Sequence, residues 1–247
     1  MKIETILTPA ELPALAQCDL RATACVVFDV LRATSTFVTA LHNGAKEIIP
    51  VSEISEALQI KKTRPDVLLA GERKGVKIRA DGIDFDFGNS PREFIPEKIH
   101  GKTIVSTTTN GTRALRTCLG AKMVLASSFL NLNATAQFLR ENNPENVLLI
   151  CAGTGENKAD EDILAAGALI ELLAARADAR PIVSDSAKIA LRFYTESKST
   201  LTAVVANSEN ARHLLAIPEL RDDVSFCLQR DIFPLVAPMT ADGAIRR

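Results

Sequence analysis

Short runs of Val, Ile, Leu and Ala alternate along this chain with stretches whose apolar residues recur every three or four positions. The runs at residues 3–7, 24–28, 47–51, 67–70, 103–105, 123–126 and 147–151 predict strands. The stretches at 34–42, 54–62, 131–141 and 162–175 predict amphipathic helices between them. Runs that are apolar at consecutive positions are buried on both faces, and when helices separate them the natural arrangement is parallel strands with crossover helices. From Ser184 onward the pattern turns mostly helical, with a final strand predicted over 232–236. The expected fold is therefore α/β: a largely parallel sheet with helices on both faces and a mostly helical C-terminal portion. The expected division is an α/β portion over 1–180 and a helical portion over 181–247 packed against it. The polar segment 71–96 is the one extended connection, and loops of that length are usually functional.

In open parallel sheets, ligands sit in the crevice beyond the carboxyl ends of the strands. The residues that follow the predicted strands are rich in chemistry. After 24–28 comes Asp29-Val30-Leu31-Arg32-Ala33-Thr34-Ser35, a carboxylate that could ligate a hard cation and an arginine suited to an anion. After 67–70 comes Gly71-Glu72-Arg73-Lys74-Gly75, in which the glycines permit close backbone approach and Lys74 reads as a solvated turn residue. Farther on, Gly88-Asn89-Ser90-Pro91 opens a proline-initiated helical turn. After 103–105 comes Ser106-Thr107-Thr108-Thr109-Asn110-Gly111-Thr112-Arg113, hydroxyls, an amide and a guanidinium at a predicted helix start. After 147–151, Gly153-Thr154-Gly155 leads to Asp160-Glu161-Asp162 at the mouth of a long helix. Each segment also has a plain structural reading, as a helix cap, a local ion pair or acids favoured by a helix dipole.

Composition narrows the field. A net charge of −1 leaves no global field for nucleic acid or acidic lipid, so any anion site must be local. Trp is absent and Tyr194 is the only tyrosine, which argues against base-stacking platforms. No apolar run is long enough to span a membrane and the start has no signal pattern, so the expectation is a cytoplasmic protein without membrane partners. Cys18, Cys25, Cys118, Cys151 and Cys227 lack metal-type spacing and read mostly as small buried apolar residues. His42, His100 and His213 read as surface residues. Rival signatures fail at defined positions: Lys158 stands where a dinucleotide fingerprint needs a small residue, and Asn157 and Ala159 break a Walker loop. No cysteine has an arginine six positions downstream, as a cysteine-nucleophile phosphatase loop requires, and Leu31 interrupts an Asp-x-Asp phosphotransfer motif.

Taken together, the segments around Asp29, Glu72, Asn89 and Asn110, with the acids at 160–162, resemble the 2-phosphosulfolactate phosphatase family over roughly residues 1–240. The resemblance implies a Mg²⁺-dependent hydrolase that frees phosphate from 2-phosphosulfolactate, a step in coenzyme M synthesis, with a fold particular to that family and a homodimeric assembly. A similar small 2-phospho acid is an equally admissible substrate. Asp29, Glu72 and Asp162 are the candidate metal ligands, with Asp29 and Asp162 the candidate catalytic acids and their separate roles left open. Arg32, Thr34, Ser35, Arg73, Asn89, Ser90, Thr109, Asn110, Gly111, Thr112 and Arg113 are the candidate substrate-binding residues. The alternative is a non-catalytic protein that senses a phosphorylated metabolite through the same cations.

Overall fold

The computed structural model describes residues 1–175 and 181–247. In chain order its strands are β1 (Lys2–Ile6), β2 (Thr23–Phe28), β3 (Glu47–Pro50), β4 (Leu68–Arg73), β5 (Val76–Lys77), β6 (Arg79–Ala80), β7 (Ile83–Asp84), β8 (Thr103–Thr107), β9 (Met123–Ser127), β10 (Asn146–Cys151), β11 (Ile182–Val183) and β12 (Ala237–Met239). The helices are α1 (Leu12–Leu15), α2 (Ala33–His42), α3 (Ile54–Thr63), α4 (Pro96–Ile99), α5 (Gly111–Thr117), α6 (Leu132–Asn142), α7 (Asp160–Ala175), α8 (Asp185–Ser197), α9 (Leu201–Ala206), α10 (Glu209–Leu215) and α11 (Arg221–Cys227). The α/β class is as the sequence predicts. The predicted division after residue 180 lies outside the described residues.

The strands form two main sheets rather than one. A six-stranded sheet has the order β11-β1-β10-β2-β9-β12, parallel except for β12. A four-stranded sheet has the order β3-β8-β4-β5, parallel except for β5. Strand β2 shows why its sequence is apolar throughout. Ala24, Val26 and Phe28 pack with α6, α7 and α8 on one face, while Cys25 and Val27 pack with α2 and α5 on the other. That second core also contains Ile48, Ala70 and Ile104 of the smaller sheet, so α2 and α5 are sandwiched between the sheets. The outer face of the smaller sheet is closed by α3, through Ala57 and Leu58 against Leu69 and Val105.

Three departures from the predicted elements matter for the site. Strand β4 runs on through Gly71, which pairs with Thr107 of β8, and through Glu72 and Arg73, which pair into a hairpin with β5, so the acid and the arginine sit within a strand. The connection 71–96 is not structureless: it holds β5, the β6–β7 pair and a 3₁₀ turn at Pro91–Glu93. The last strand forms at Ala237–Met239 instead of 232–236, as an antiparallel edge strand on β9. An edge is where Pro238, which has no N–H to donate, is tolerated. Gly167 in α7 is a packing device, since a Cβ there would lie 2.2 Å from the Ala190 carbonyl oxygen of α8. Among the described residues no helix is long and apolar enough to cross a membrane.

Candidate active site

The carboxyl ends of the two sheets face one cleft of about 530 Å³. Asp29 and Gly153 reach it from the larger sheet, Glu72 and Thr109 from the smaller, and Arg32, Asn89 and Asn110 from the adjoining loops. Lys74, and Glu209, Asn210 and His213 of α10, also line it, together with the 153–157 loop. Another cavity of about 550 Å³ lies between β1 and α1, lined by residues such as Ile6, Leu15 and Leu148, and holds none of the predicted site residues. The chemistry is in the first.

Asp29 sits where α2 and α5 begin side by side. Its Oδ1 accepts the Ala33 N–H at 3.1 Å at the start of α2, and Arg32 pairs with Asp223 rather than with Asp29. Gly111 must be glycine here because a Cβ would fall 2.4 Å from Asp29 Oδ2. Burial pushes the Asp29 carboxyl up to about 7, against N–H donation from Ala33 and with the charges of Glu72 and Glu161 adding to the rise. Thr34 and Ser35 are buried and do not face the cleft. The Thr34 hydroxyl donates to the Asp29 carbonyl at 2.9 Å and the Ser35 hydroxyl to the Val30 carbonyl at 2.8 Å, which locks the loop carrying Asp29 and Arg32.

Glu72 ties the smaller sheet together at the cleft. Its Oε1 accepts the Thr109 N–H at 2.9 Å and its Oε2 the Gly75 N–H at 2.7 Å. Successive residues of a strand point to opposite sides. Arg73 therefore turns away from the cleft and donates to the Thr107 hydroxyl at 2.9 Å. Arg113 is exposed and also absent from the cleft wall. Of the three arginines proposed to grip substrate, the cleft receives only Arg32. Thr112 is buried and reciprocates with Thr108, shaping the start of α5. Asn110 donates to the carbonyls of Ala152 and Gly155 at 2.7 and 2.9 Å, joining the β8 and β10 exits.

Asp162 is a bracket rather than a wall residue. Its two oxygens accept the Val30 N–H at 2.7 Å and the Gly153 N–H at 3.0 Å, holding the β2 and β10 exit loops in register. Burial, with the charges of Asp29 and Glu161 added, holds its carboxyl well above the usual range. Its neighbour Glu161 is fully buried, accepts from Asn210 at 2.8 Å, and has its other oxygen unpartnered among the described residues.

Several functional contacts lie beyond the sequence reading. Asp223 of α11 is fully buried and receives Arg32 Nη1 at 2.8 Å, the Ser90 hydroxyl at 2.7 Å and Arg92 Nε at 2.9 Å. Ser90 thus serves Asp223 and does not line the cleft, whereas Asn89 does, held by the Thr36 hydroxyl on its carbonyl at 2.8 Å. Sequence could have flagged Asp223, which lies four residues before Cys227 on the apolar stripe of α11, an unusual place for an acid. All five cysteines are free and all but Cys18 are buried. The three histidines are exposed, although His213 also lines the cleft.

The profile of the 2-phosphosulpholactate phosphatase family matches residues 7–242. The chain belongs to that family. A relative from Caldanaerobacter subterraneus subsp. tengcongensis is 41% identical over 232 residues, covering 92% of each chain. One from Thermotoga petrophila is 42% identical over 230 residues, covering 93% of this chain and 94% of its own. A third, from Clostridium perfringens, is 36% identical over 242 residues and covers 96% of this chain and 92% of its own. Each bears the name "Probable 2-phosphosulfolactate phosphatase". The family's matched span takes in the whole cleft, including the α10 wall and Asp223.

Proposed function

We propose that this chain hydrolyses the phosphate monoester of 2-phosphosulfolactate, or of a similar small 2-phospho acid, with Mg²⁺ at Asp29 and Glu72. The observation that carries the reading is the meeting of these two acids and Arg32 in one cleft from separate sheets. The donors suit a hard cation. Asp29 is buried among acids that repel its charge, and a cation is what would relieve that repulsion. Among the described residues no three of His, Cys, Asp and Glu form a metal cage. Mg²⁺ is typically held by one or two carboxylates plus substrate and water oxygens, and Asp29 and Glu72 are two such carboxylates. When bound, the ion would neutralise charge on the phosphoryl oxygens.

The remaining work is positioning. Arg32 has N–H groups beyond the two committed to Asp223 and to the Gly75 carbonyl, and these serve the substrate carboxylate. Thr109 and Asn110 border the phosphoryl end. Asp29 and Glu72 are the carboxylates placed to orient an attacking water, and Asp162 keeps the loop of Asp29 fixed. Membership of the family is what supports the accompanying proposals of a cytoplasmic homodimer and of a phosphatase that supplies sulfolactate to coenzyme M synthesis.

The test is phosphate release from 2-phosphosulfolactate and a panel of phosphorylated 2-hydroxy acids. Turnover that requires Mg²⁺ and stops on chelation is expected. Tight binding of intact ester without phosphate release would point to a sensor instead, and light scattering checks the dimer.

A further inference from the structure

Three basic side chains belong to the cleft wall: Arg32, Lys74 and His213. Arg32 is ion-paired to Asp223 and donates to the Gly75 carbonyl at 3.3 Å. Arg73 and Arg113 stand outside the cleft. Lys74 is therefore the lysine or arginine of the wall whose charge no carboxylate of the described residues meets at ion-pair distance.

The turn that presents Lys74 is fastened from several sides. Lys74 itself has φ 53°, a left-handed conformation uncommon for residues other than glycine. Glu72 Oε2 holds the next N–H, Arg32 holds the next carbonyl, and His213 Nε2 lies 3.2 Å from the Lys74 carbonyl oxygen. A Cβ on Gly75 would approach His213 Nε2 to 2.7 Å, so the α10 ring is packed on the turn. A merely solvated turn needs none of these clamps. All three come from cleft residues.

We propose that Lys74 binds the second acidic group of the substrate, the sulfonate of 2-phosphosulfolactate, and that His213 is a positioning residue that holds Lys74 there. The inference rests on the hydrolase reading above and deepens it. With the phosphate assigned to the Asp29–Glu72 end and the carboxylate to Arg32, the sulfonate is the anion still without a counter-charge. Lys74 supplies one at the cleft mouth. The same ammonium meets only a methyl group when the substrate is 2-phospholactate.

The experiment compares these two esters. Lys74→Gln should raise KM for 2-phosphosulfolactate about tenfold, between the effect of an exposed pair and that of a well-made charged hydrogen bond. It should hold KM for 2-phospholactate within about twofold, the range of an ordinary surface change. Lys74→Arg should restore selectivity, and His213→Ala should show the same substrate-dependent pattern with a smaller change. Calorimetry with sulfolactate and lactate runs the comparison without turnover: wild type should prefer sulfolactate and Lys74→Gln should not. An enzyme inactive on both esters whose sulfolactate preference Lys74→Gln erases would overturn the hydrolase reading and uphold this site. Equal effects on both members of each pair, or no effect on either, would overturn the site.

Discussion

Replacing Asp29 with Asn should make the Mg²⁺-free protein more stable, not less. The folded-state carboxyl is pushed up to about 7 from an ordinary value of 3.8 by burial and by its acidic neighbours. A group whose pKa is raised on folding favours the fold below its unfolded pKa and loses that contribution as pH rises through the folded value. For Asp29 the loss falls between about pH 4 and 7, and a shift of roughly three units corresponds to about 4 kcal/mol. Asparagine has nearly the shape of the protonated acid and cannot ionise, although its amide nitrogen cannot accept the second of the two N–H groups, from Ala33 and Gly111, that face the carboxyl. Denaturant unfolding in chelator should therefore show the stability difference moving in favour of Asp29→Asn by about 4 kcal/mol from pH 4 to pH 8. Adding Mg²⁺ should reverse the order by stabilising wild type alone, since a ligand that binds only the native state stabilises by RT ln(1 + [L]/Kd). A variant less stable than wild type at pH 8 in chelator, or a difference that does not change with pH, would refute the reasoning.

Other substitutions probe separate parts of the account. Gly111→Ala places a Cβ 2.4 Å from Asp29 Oδ2, so turnover should fall about 100-fold through misplacement of the acid, read by steady-state kinetics. Asp223→Ala leaves Arg32 buried without its partner and should cost about 3–5 kcal/mol in a denaturant titration. Arg113→Lys, at an exposed position off the cleft wall, should leave KM within about twofold of wild type.

The strands were legible because residues buried on both faces of a sheet must be apolar at consecutive positions, as in β2 and β10. The chemistry at their exits was legible for the same reason, since Asp29 and Thr109 interrupt or follow apolar runs. What the pattern could not convey is which way a side chain turns once tertiary pairing extends a strand. Glu72 faces the cleft and Arg73 leaves it because β4 continues into a hairpin with β5. The acids at 160–162 look equivalent in sequence. The docking of α7 gives Asp162 two backbone N–H groups and Glu161 an unpartnered oxygen. The α10 wall was hidden for a simpler reason. It comes from a C-terminal helix whose local pattern is ordinary, and only packing of His213 on the Lys74–Gly75 turn and of Asn210 on Glu161 gives it a role, whereas Asp223 showed as an acid on an apolar stripe but not as the partner of Arg32.

The central claim is that the cation and the phosphoryl group meet between Asp29 and Glu72. Crystals grown with Mn²⁺ in place of Mg²⁺ and with a phosphate mimic such as vanadate would test it most directly, through the anomalous signal of the metal. The account predicts a peak about 2 Å from a carboxylate oxygen of Asp29 or Glu72, with the anion against the Thr109–Asn110 turn. A metal outside the cleft, or an anion seated at the exposed Arg113 instead, would contradict it.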